Sequence, residues 1–320
     1  MVLTWGIPSE SPIRRLLDEL DVLEQPYVAV SQRHFAETDL NLTIDAVGNL
    51  GGTLTYQGQT YPLAEISGVY LRLVDDEVLP EFQRLPVDDP LRMHTRRLIQ
   101  HLSVWSEWAG CRLVNSMPAM ASNNSKPYQA QFIQQHGFLT PDTLITNNPD
   151  RVMDFCERHH NRVIYKSISG VRSIVQAWNP RTDAEKLALI RHCPVQFQEQ
   201  VDGFDVRVHV IGELVLATRI TAQATDYRYA LHQTGESATL APYELEADVA
   251  ASCVSLSKAL GLNFSGIDLR ISPTGEVYCF EVNPCPAYTY YESYTSQPIA
   301  AWLAEYLSGH DNYYRRVWNV

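Results

Sequence analysis

The stretch 265–284, SGIDLRISPTGEVYCFEVNP, constrains the chain more than any other. Pro273, Thr274, Gly275 and Glu276 form a turn signal between two β-prone arms. With those four as the loop, Ser272 is expected opposite Val277, Arg270 opposite Cys279, and Asp268 directly opposite Glu281. Period-two alternation then sends Ile267, Leu269, Ile271, Tyr278, Phe280 and Val282 to a core face, and Asp268, Arg270, Cys279, Glu281 and Asn283 to the other. Two carboxylates facing each other across a sheet repel, at a cost of up to about 1 kcal/mol. A cation is therefore expected between them. Asp268, Glu281 and Asn283 offer only oxygen, which suits Mg²⁺ or Mn²⁺ with retained waters and a phosphate ligand. Arg270 neutralising the pair in a surface cluster is the alternative. The register rests on the turn, and a slip of one residue would part the two acids.

A divalent ion held by a few oxygens points to a triphosphate. Lys166 ends the apolar run VIYKS and leads into SISGVRS, where small residues around Gly170 let backbone N–H groups approach phosphate while Lys166 and Arg172 add charge. The spacing is not that of a Walker A loop, and no GxGxxG run occurs. Alone, this segment reads as readily as a solvated basic turn.

The rest of the chain sets the frame. Its 320 residues, 45% of them hydrophobic, suffice for two or three lobes. A formal charge of −12 argues against a nucleic-acid partner. No apolar run approaches the roughly 18 residues of a membrane span, and the N-terminus lacks the pattern of a secretory signal. Six scattered cysteines without a CxxC pair suit reduced thiols and a cytoplasmic location. Cys285, beside Asn283, has no histidine in its motif and reads as a packed residue.

Periodicity predicts a turn, a helix over 11–20 capped by Ser9 or Ser11, and a strand over 27–30 at the start. A hairpin within 42–57, a strand over 68–73 and a helix over 90–109 complete an α/β lobe ending near 117. The polar run 112–129 marks a boundary. Beyond it lie helices over 126–136, 149–159, 244–260 and 298–307, with strands over 143–145, 163–167, 194–201 and 205–220. This half is α+β with mainly antiparallel strands. Arg207 and Arg219 share a face if the loop at Gly212 and Glu213 has three residues, and lie on opposite faces if it has two. Tyr288, Tyr290, Tyr291 and Tyr294 either contact a peptide or pack the last helix.

The order of these features is more specific than any one of them. Lys126, Lys166, QEQV at 198–201, DVR at 205–207, DYR at 226–228, GIDLR and FEVNP follow one another as they do in the ATP-grasp superfamily, and the chain resembles most closely its RimK-like branch of peptide and amino-acid ligases. The resemblance runs from about residue 115 to 307. It implies an α/β N-terminal lobe (1–117) and an α+β ATP-grasp fold. ATP would be held between two antiparallel-sheet subdomains, a central one (118–197) and a C-terminal one with the metal site (198–320). Lys126 and Lys166 match the lysines on the α- and β-phosphates, Glu199 and Gln200 the adenine hinge, and Asp205 the acid near the ribose. Arg228 matches the arginine facing the transferring phosphoryl group, and Asp268, Glu281 and Asn283 the magnesium ligands. Arg172 or Arg207 is expected to orient an acyl phosphate.

The implied chemistry is ATP-dependent ligation of a carboxylate to an amine or hydroxyl, with a peptide, protein or amino acid as acceptor. The branch includes both amino-acid ligases and enzymes that close ester or amide rings within a precursor peptide, and its members are often homodimers. The rival readings are a nucleotide-binding regulatory protein without turnover and a phosphotransferase that releases its product. Acceptor-dependent ADP formation separates the three.

Overall fold

The computed structural model of the chain describes residues 1–167, 175–179, 182–222 and 238–310. Gly170, Arg172 and Arg228 lie outside the described residues.

The chain begins with a strand, β1 (Val2–Gly6), where the sequence reading places a turn. All five residues are buried, so VLTWG shows none of the alternation that marks a half-exposed strand. β1 pairs in parallel with β2 (Tyr27–Ser31) and β6 (Gly68–Leu71), and β6 with β7 (Arg112–Val114), a second strand hidden inside the run read as a boundary. Alternate residues feed two cores. Val2, Tyr70 and Val114 pack with helices α1 (Ser11–Val22) and α8 (Ile299–Ser308), while Leu3, Trp5, Val69, Leu71 and Leu113 pack with α2 (Pro90–Trp108). Ile13, Leu16, Leu17 and Leu20 give α1 the one apolar stripe it buries. Glu10 rather than a serine holds its N-cap position, without a side-chain cap bond, and Pro12 sits in its first turn. The expected hairpin carries one strand more, so that β3 (Thr38–Ile44), β4 (Leu50–Tyr56) and β5 (Gln59–Pro62) form an antiparallel sheet beside α2.

After the short helix α3 (Met117–Met120), two antiparallel sheets follow. In the first, β8 (Thr143–Thr146), β9 (Val163–Ser167), β10 (Gln176–Ala177) and β11 (Val195–Glu199) lie in the order β10-β9-β11-β8. Helix α5 (Pro149–Arg158) buries Val152, Phe155 and Cys156 against Val163, Trp178 and Phe197, and the short α6 (Ala184–Leu189) precedes β11. The second contains β12 (Phe204–Ile211), β13 (Leu214–Thr221), β14 (Thr239–Tyr243), β15 (Phe264–Ile271) and β16 (Val277–Asn283), in the order β14-β13-β12-β15-β16. Val206, Val208, Ile267, Leu269 and Val282 project from one face onto α7 (Ala247–Ala259) and α4 (Lys126–Gln135). Thus α4 packs on this sheet rather than on the four-stranded one preceding it. No helix among the described residues is long and apolar enough to cross a membrane.

On the other face of β12, His209 is fully buried between Phe264 and Tyr291, and neither ring nitrogen has a hydrogen-bond partner among the described residues. Burial, aided by the nearby Arg207 charge, holds the imidazole well below its ordinary range and therefore neutral. The unfolded chain takes up a proton near pH ~6.5 and the folded chain does not. Stability from this residue is therefore complete above about pH 6.5 and is lost as the pH falls, by up to about 1.4 kcal/mol per unit. His209→Phe is expected to remove that slope. Equal slopes for both proteins in denaturant titrations between about pH 7 and pH 5 would refute the assignment.

Candidate active site

Asp268 and Glu281 are register partners on β15 and β16, as the turn signal implies, but they arrive by a different route. Ile271 rather than Ser272 pairs with Val277, which lengthens the loop, and a bulge between Asp268 and Leu269 restores the register with an extra residue on β16. Between turn and bulge the faces are exchanged. Cys279, expected beside the acids, is 1% exposed in the core opposite Leu269. Tyr278, expected in the core, pairs with Arg270, and Phe280 lies under the Arg270 guanidinium at 5.2 Å. The polar face therefore carries an aromatic ring next to the acids.

Among the described residues, the side chains that pair with the two acids are Lys126 and Arg207, not the Arg270 of the alternative reading. Arg270 turns to Asp205, with its Nε donating at 2.8 Å, and also donates to the Val201 carbonyl at 3.0 Å. Lys126 Nζ lies 2.8 Å from Glu281 Oε2, and Arg207 lies 2.9 Å from Asp268 Oδ1. A unit-charge pair about 4 Å apart at an effective dielectric of about 20 gains about 4 kcal/mol before desolvation. Desolvation removes much of that gain, but two such pairs offset the repulsion of about 1 kcal/mol between facing carboxylates, so Arg270 is not needed to hold the acids. Burial is the largest single influence on Glu281 and opposes its charge. Lys126, Lys166 and Arg207 together outweigh it and bring the carboxyl down to about 2.

Local structure explains each placement. Ser125 caps α4 by accepting from Tyr128 N, which sets Lys126 in the first turn facing β16. Lys166 sits on β9 opposite Gln196. Arg207 is 7% exposed, donates to the Gly266 carbonyl at 3.1 Å and lies over the Tyr291 ring at 5.3 Å. Its neighbour Gly266 can hardly carry a side chain, since an added Cβ would lie 2.9 Å from Pro286 Cβ and 3.1 Å from the Arg207 guanidinium. Asn283 Oδ1 accepts from Cys285 N at 2.9 Å, which leaves its second lone pair for another ligand.

Lys126, Lys166, Arg207, Asp268, Glu281 and Asn283 thus surround one polar face of the sheet, with Asp205 alongside. The acid, acid and amide fit a hard divalent cation by donor chemistry, because all three offer oxygen. Glu199 and Gln200 stand at the end of β11. The Glu199 carboxylate accepts from Asp142 N at 3.0 Å and approaches His159, so its side chain is occupied by this turn. Arg219 does not join the site. The loop at Gly212 and Glu213 has two residues, Arg207 pairs with Thr218, and Arg219 lies 4.0 Å over the Phe204 ring.

Of the four tyrosines over 288–294, two are packed: Tyr288 is fully buried with its hydroxyl donating to Pro12 O, and Tyr291 supports Arg207. Tyr290 and Tyr294 face outwards. Cys285 receives a bond from Arg72 at 3.0 Å, and burial, only partly offset by Arg72, pushes its thiol up. A protonated, packed thiol fits no nucleophilic role. Sequence reading missed Asn115 altogether. Its buried amide donates to Phe264 O and Pro284 O and accepts from Asn263 N and Phe264 N, tying both ends of the β15–β16 hairpin to the N-terminal lobe.

The profile of the RimK-like ATP-grasp domain matches residues 123–307. A probable alpha-L-glutamate ligase of Pseudoalteromonas translucida is 30% identical over 210 residues, covering 63% of this chain and 68% of that protein. Two solved structures share the fold across nearly the whole length. The macrocyclase MdnC of Microcystis aeruginosa, bound with precursor peptide MdnA, is 22% identical with a TM-score of 0.77, covering 97% of this chain and 99% of MdnC. A RiPP-associated ATP-grasp ligase of Chryseobacterium gregarium, in complex with ADP and a leader and core peptide, is 20% identical with a TM-score of 0.80, covering 96% of each chain.

Proposed function

The chain belongs to the RimK-like ATP-grasp family, and from that premise we propose that it is an ATP-dependent ligase joining a carboxylate to an amine on a peptide or amino-acid substrate. The observation that carries this reading is the convergence of Lys126, Lys166 and Arg207 on the paired carboxylates Asp268 and Glu281. Three cations and two acids brought together offer positive charge for phosphate and negative charge for a divalent metal.

ATP supplies a phosphoryl group that activates the substrate carboxylate as an acyl phosphate, and Mg²⁺ (or Mn²⁺) supplies charge neutralisation at the phosphates. Asp268, Glu281 and Asn283 would hold the metal. Lys126 and Lys166 would bind phosphate oxygens, acting as point charges. Asp205, fixed by Arg270, would accept from the ribose, with Glu199 and Gln200 at the base. Arg207 would stabilise charge on the transferring group and orient the acyl phosphate, roles that need preorganised donors and no covalent enzyme intermediate. We assign Gly170, Arg172 and Arg228 to the same phosphate end on their order in the sequence. We further propose 1–117, 118–197 and 198–320 as the functional subdomains, and a cytoplasmic location, in keeping with six free thiols.

The relatives lend support to one acceptor class. A glutamate ligase and two peptide-bound ligases support an amino-acid or peptide acceptor, and the peptide-bound structures, alike in size and fold, favour a peptide. ADP formation with Mg²⁺ that appears only when a glutamate or peptide acceptor is added would establish coupling; ADP released at the same rate without acceptor would exclude it. Lys166→Ala is expected to weaken ATP binding by about 2–3 kcal/mol, the worth of a charged hydrogen bond. A calorimetric titration showing unaltered affinity would remove Lys166 from the phosphate site.

A further inference from the structure

The free edge of β16 is covered by two different devices, and the change-over falls at the proposed metal ligands. β16 is the last strand of its sheet, so one row of its backbone groups has no strand partner. On the turn side, Leu139 supplies the missing strand: its N–H donates to Val277 O at 3.0 Å and its carbonyl accepts from Cys279 N at 2.9 Å. The bulge at Phe280 then shifts the outward-facing groups from odd to even positions. At Val282, between Glu281 and Asn283, a side chain takes over. Gln129 Nε2 donates to Val282 O at 2.7 Å, and Gln129 Oε1 accepts from Val282 N at 2.9 Å.

A primary amide that both donates to and accepts from one residue reproduces a β-ladder pairing. Here it does so in a dry setting, since Gln129 is 1% exposed and Val282 fully buried. Removing it would leave a donor and an acceptor unsatisfied in the interior, at the point where the strand turns out to present two site residues. Gln129 also lies three residues after Lys126 on α4, and so on the same helix face. One turn of helix therefore sets the lysine on Glu281 Oε2 and clamps the backbone next to that glutamate. The helix and the edge strand are fixed to each other at both points.

We propose that Gln129 is a positioning residue for the metal ligands, acting through the backbone of Val282 to set the separation and direction of Glu281 and Asn283. The assignment rests on the reading of Asp268, Glu281 and Asn283 as metal ligands. Supporting groups that orient metal ligands typically govern metal affinity by about 10–100-fold. They act on the metal and not on the nucleotide itself, and this distinguishes positioning from plain stabilisation of the sheet.

The test compares the full-length protein with Gln129→Met, which keeps size and loses both bonds, and with Ile133→Val, which trims the core side of the same helix. Binding of a non-hydrolysable ATP analogue is titrated calorimetrically in EDTA and over a Mg²⁺ series, and exchange of the Val282 amide hydrogen is followed without ligand. In Gln129→Met the Mg²⁺ concentration for half-maximal tightening should rise at least about 10-fold, while affinity in EDTA stays as in the unaltered protein and Val282 exchanges faster. Ile133→Val should alter neither Mg²⁺ dependence nor Val282 exchange. Equal losses with and without Mg²⁺, an unmoved Mg²⁺ dependence, or the same shift in Ile133→Val would each overturn the proposal. Gln129→Glu keeps the acceptor, loses the donor and carries the same test should the methionine variant not fold. Analogue binding that Mg²⁺ fails to tighten in the unaltered protein would overturn the metal assignment itself, and the role of Gln129 with it.

Discussion

Glu281→Gln should lower metal-dependent ATP turnover about a thousandfold, comparable with removing a principal electrostatic group from a catalytic centre, while the five-stranded sheet stays folded. Glutamine keeps the shape of the side chain and one oxygen, so any loss reports on charge. For the fold, two changes oppose each other. Lys126 loses its counter-charge at 2.8 Å, and Asp268 loses the like charge paired across the strands. The first is tempered because both partners keep about a quarter of their side-chain surface exposed, where ion pairs contribute little. The thermal midpoint should therefore move by only a few degrees, the shift that about 1 kcal/mol produces. For the metal, nothing opposes the loss, because an amide is a weaker ligand than a carboxylate for a hard cation. If Asp268 and Glu281 were only a charge cluster tying α4 to the sheet, the pattern would be reversed, with a lower midpoint and undiminished turnover. Turnover and midpoint measured on one preparation decide between the two.

The limits of sequence reading are well shown by that same pair of acids. Their opposition was legible because a Pro-Thr-Gly-Glu turn lies between two arms of alternating polarity. The path to it was not. Ser272 belongs to the loop, and Phe280 is extra on the other arm, so two displacements of one residue cancel at Asp268 and Glu281. No residue announces the bulge, because a glycine is not required there and Phe280 suits a strand as well as an irregularity. The exchanged faces of Tyr278, Cys279 and Phe280 follow directly from it. Strand β1 was missed for a different reason: buried on both faces, it carries no period to read. The lysine–glutamate contact spans 155 residues, and neither Gln129 nor Asn115 has a motif, because each acts on backbone atoms that any sequence would present. Side chains that bind the chain itself leave no pattern. Side chains that bind a nucleotide do, since the ligand fixes their order and chemistry.

Arg207→Lys is expected to lower the rate of the coupled reaction by about a hundredfold or more and Arg207→Met by about a thousandfold, with affinity for the nucleotide changed by less than about tenfold in both. The reasoning starts from geometry. The Arg207 guanidinium meets Asp268 Oδ1 and the Gly266 carbonyl through one nitrogen, and its central carbon lies 5.3 Å from the centre of the Tyr291 ring. That arrangement needs a planar group with several directed donors, and an ammonium on a flexible stem reproduces its charge without its orientation. If Arg207 served only to neutralise Asp268, lysine would recover nearly all of the rate. If it presents a preorganised donor to charge that develops during phosphoryl transfer, lysine would recover little, because that donor is most valuable in the transition state. The methionine variant supplies the lower bound and also leaves Asp268 without this partner, so its stability should fall more than that of the lysine variant. Rate constants at saturating ATP, compared with calorimetric affinities for the analogue, separate the two roles. A lysine variant with the unaltered rate would reduce Arg207 to a counter-ion. A rate that falls in both variants while nucleotide binding holds would place it on the transferring group.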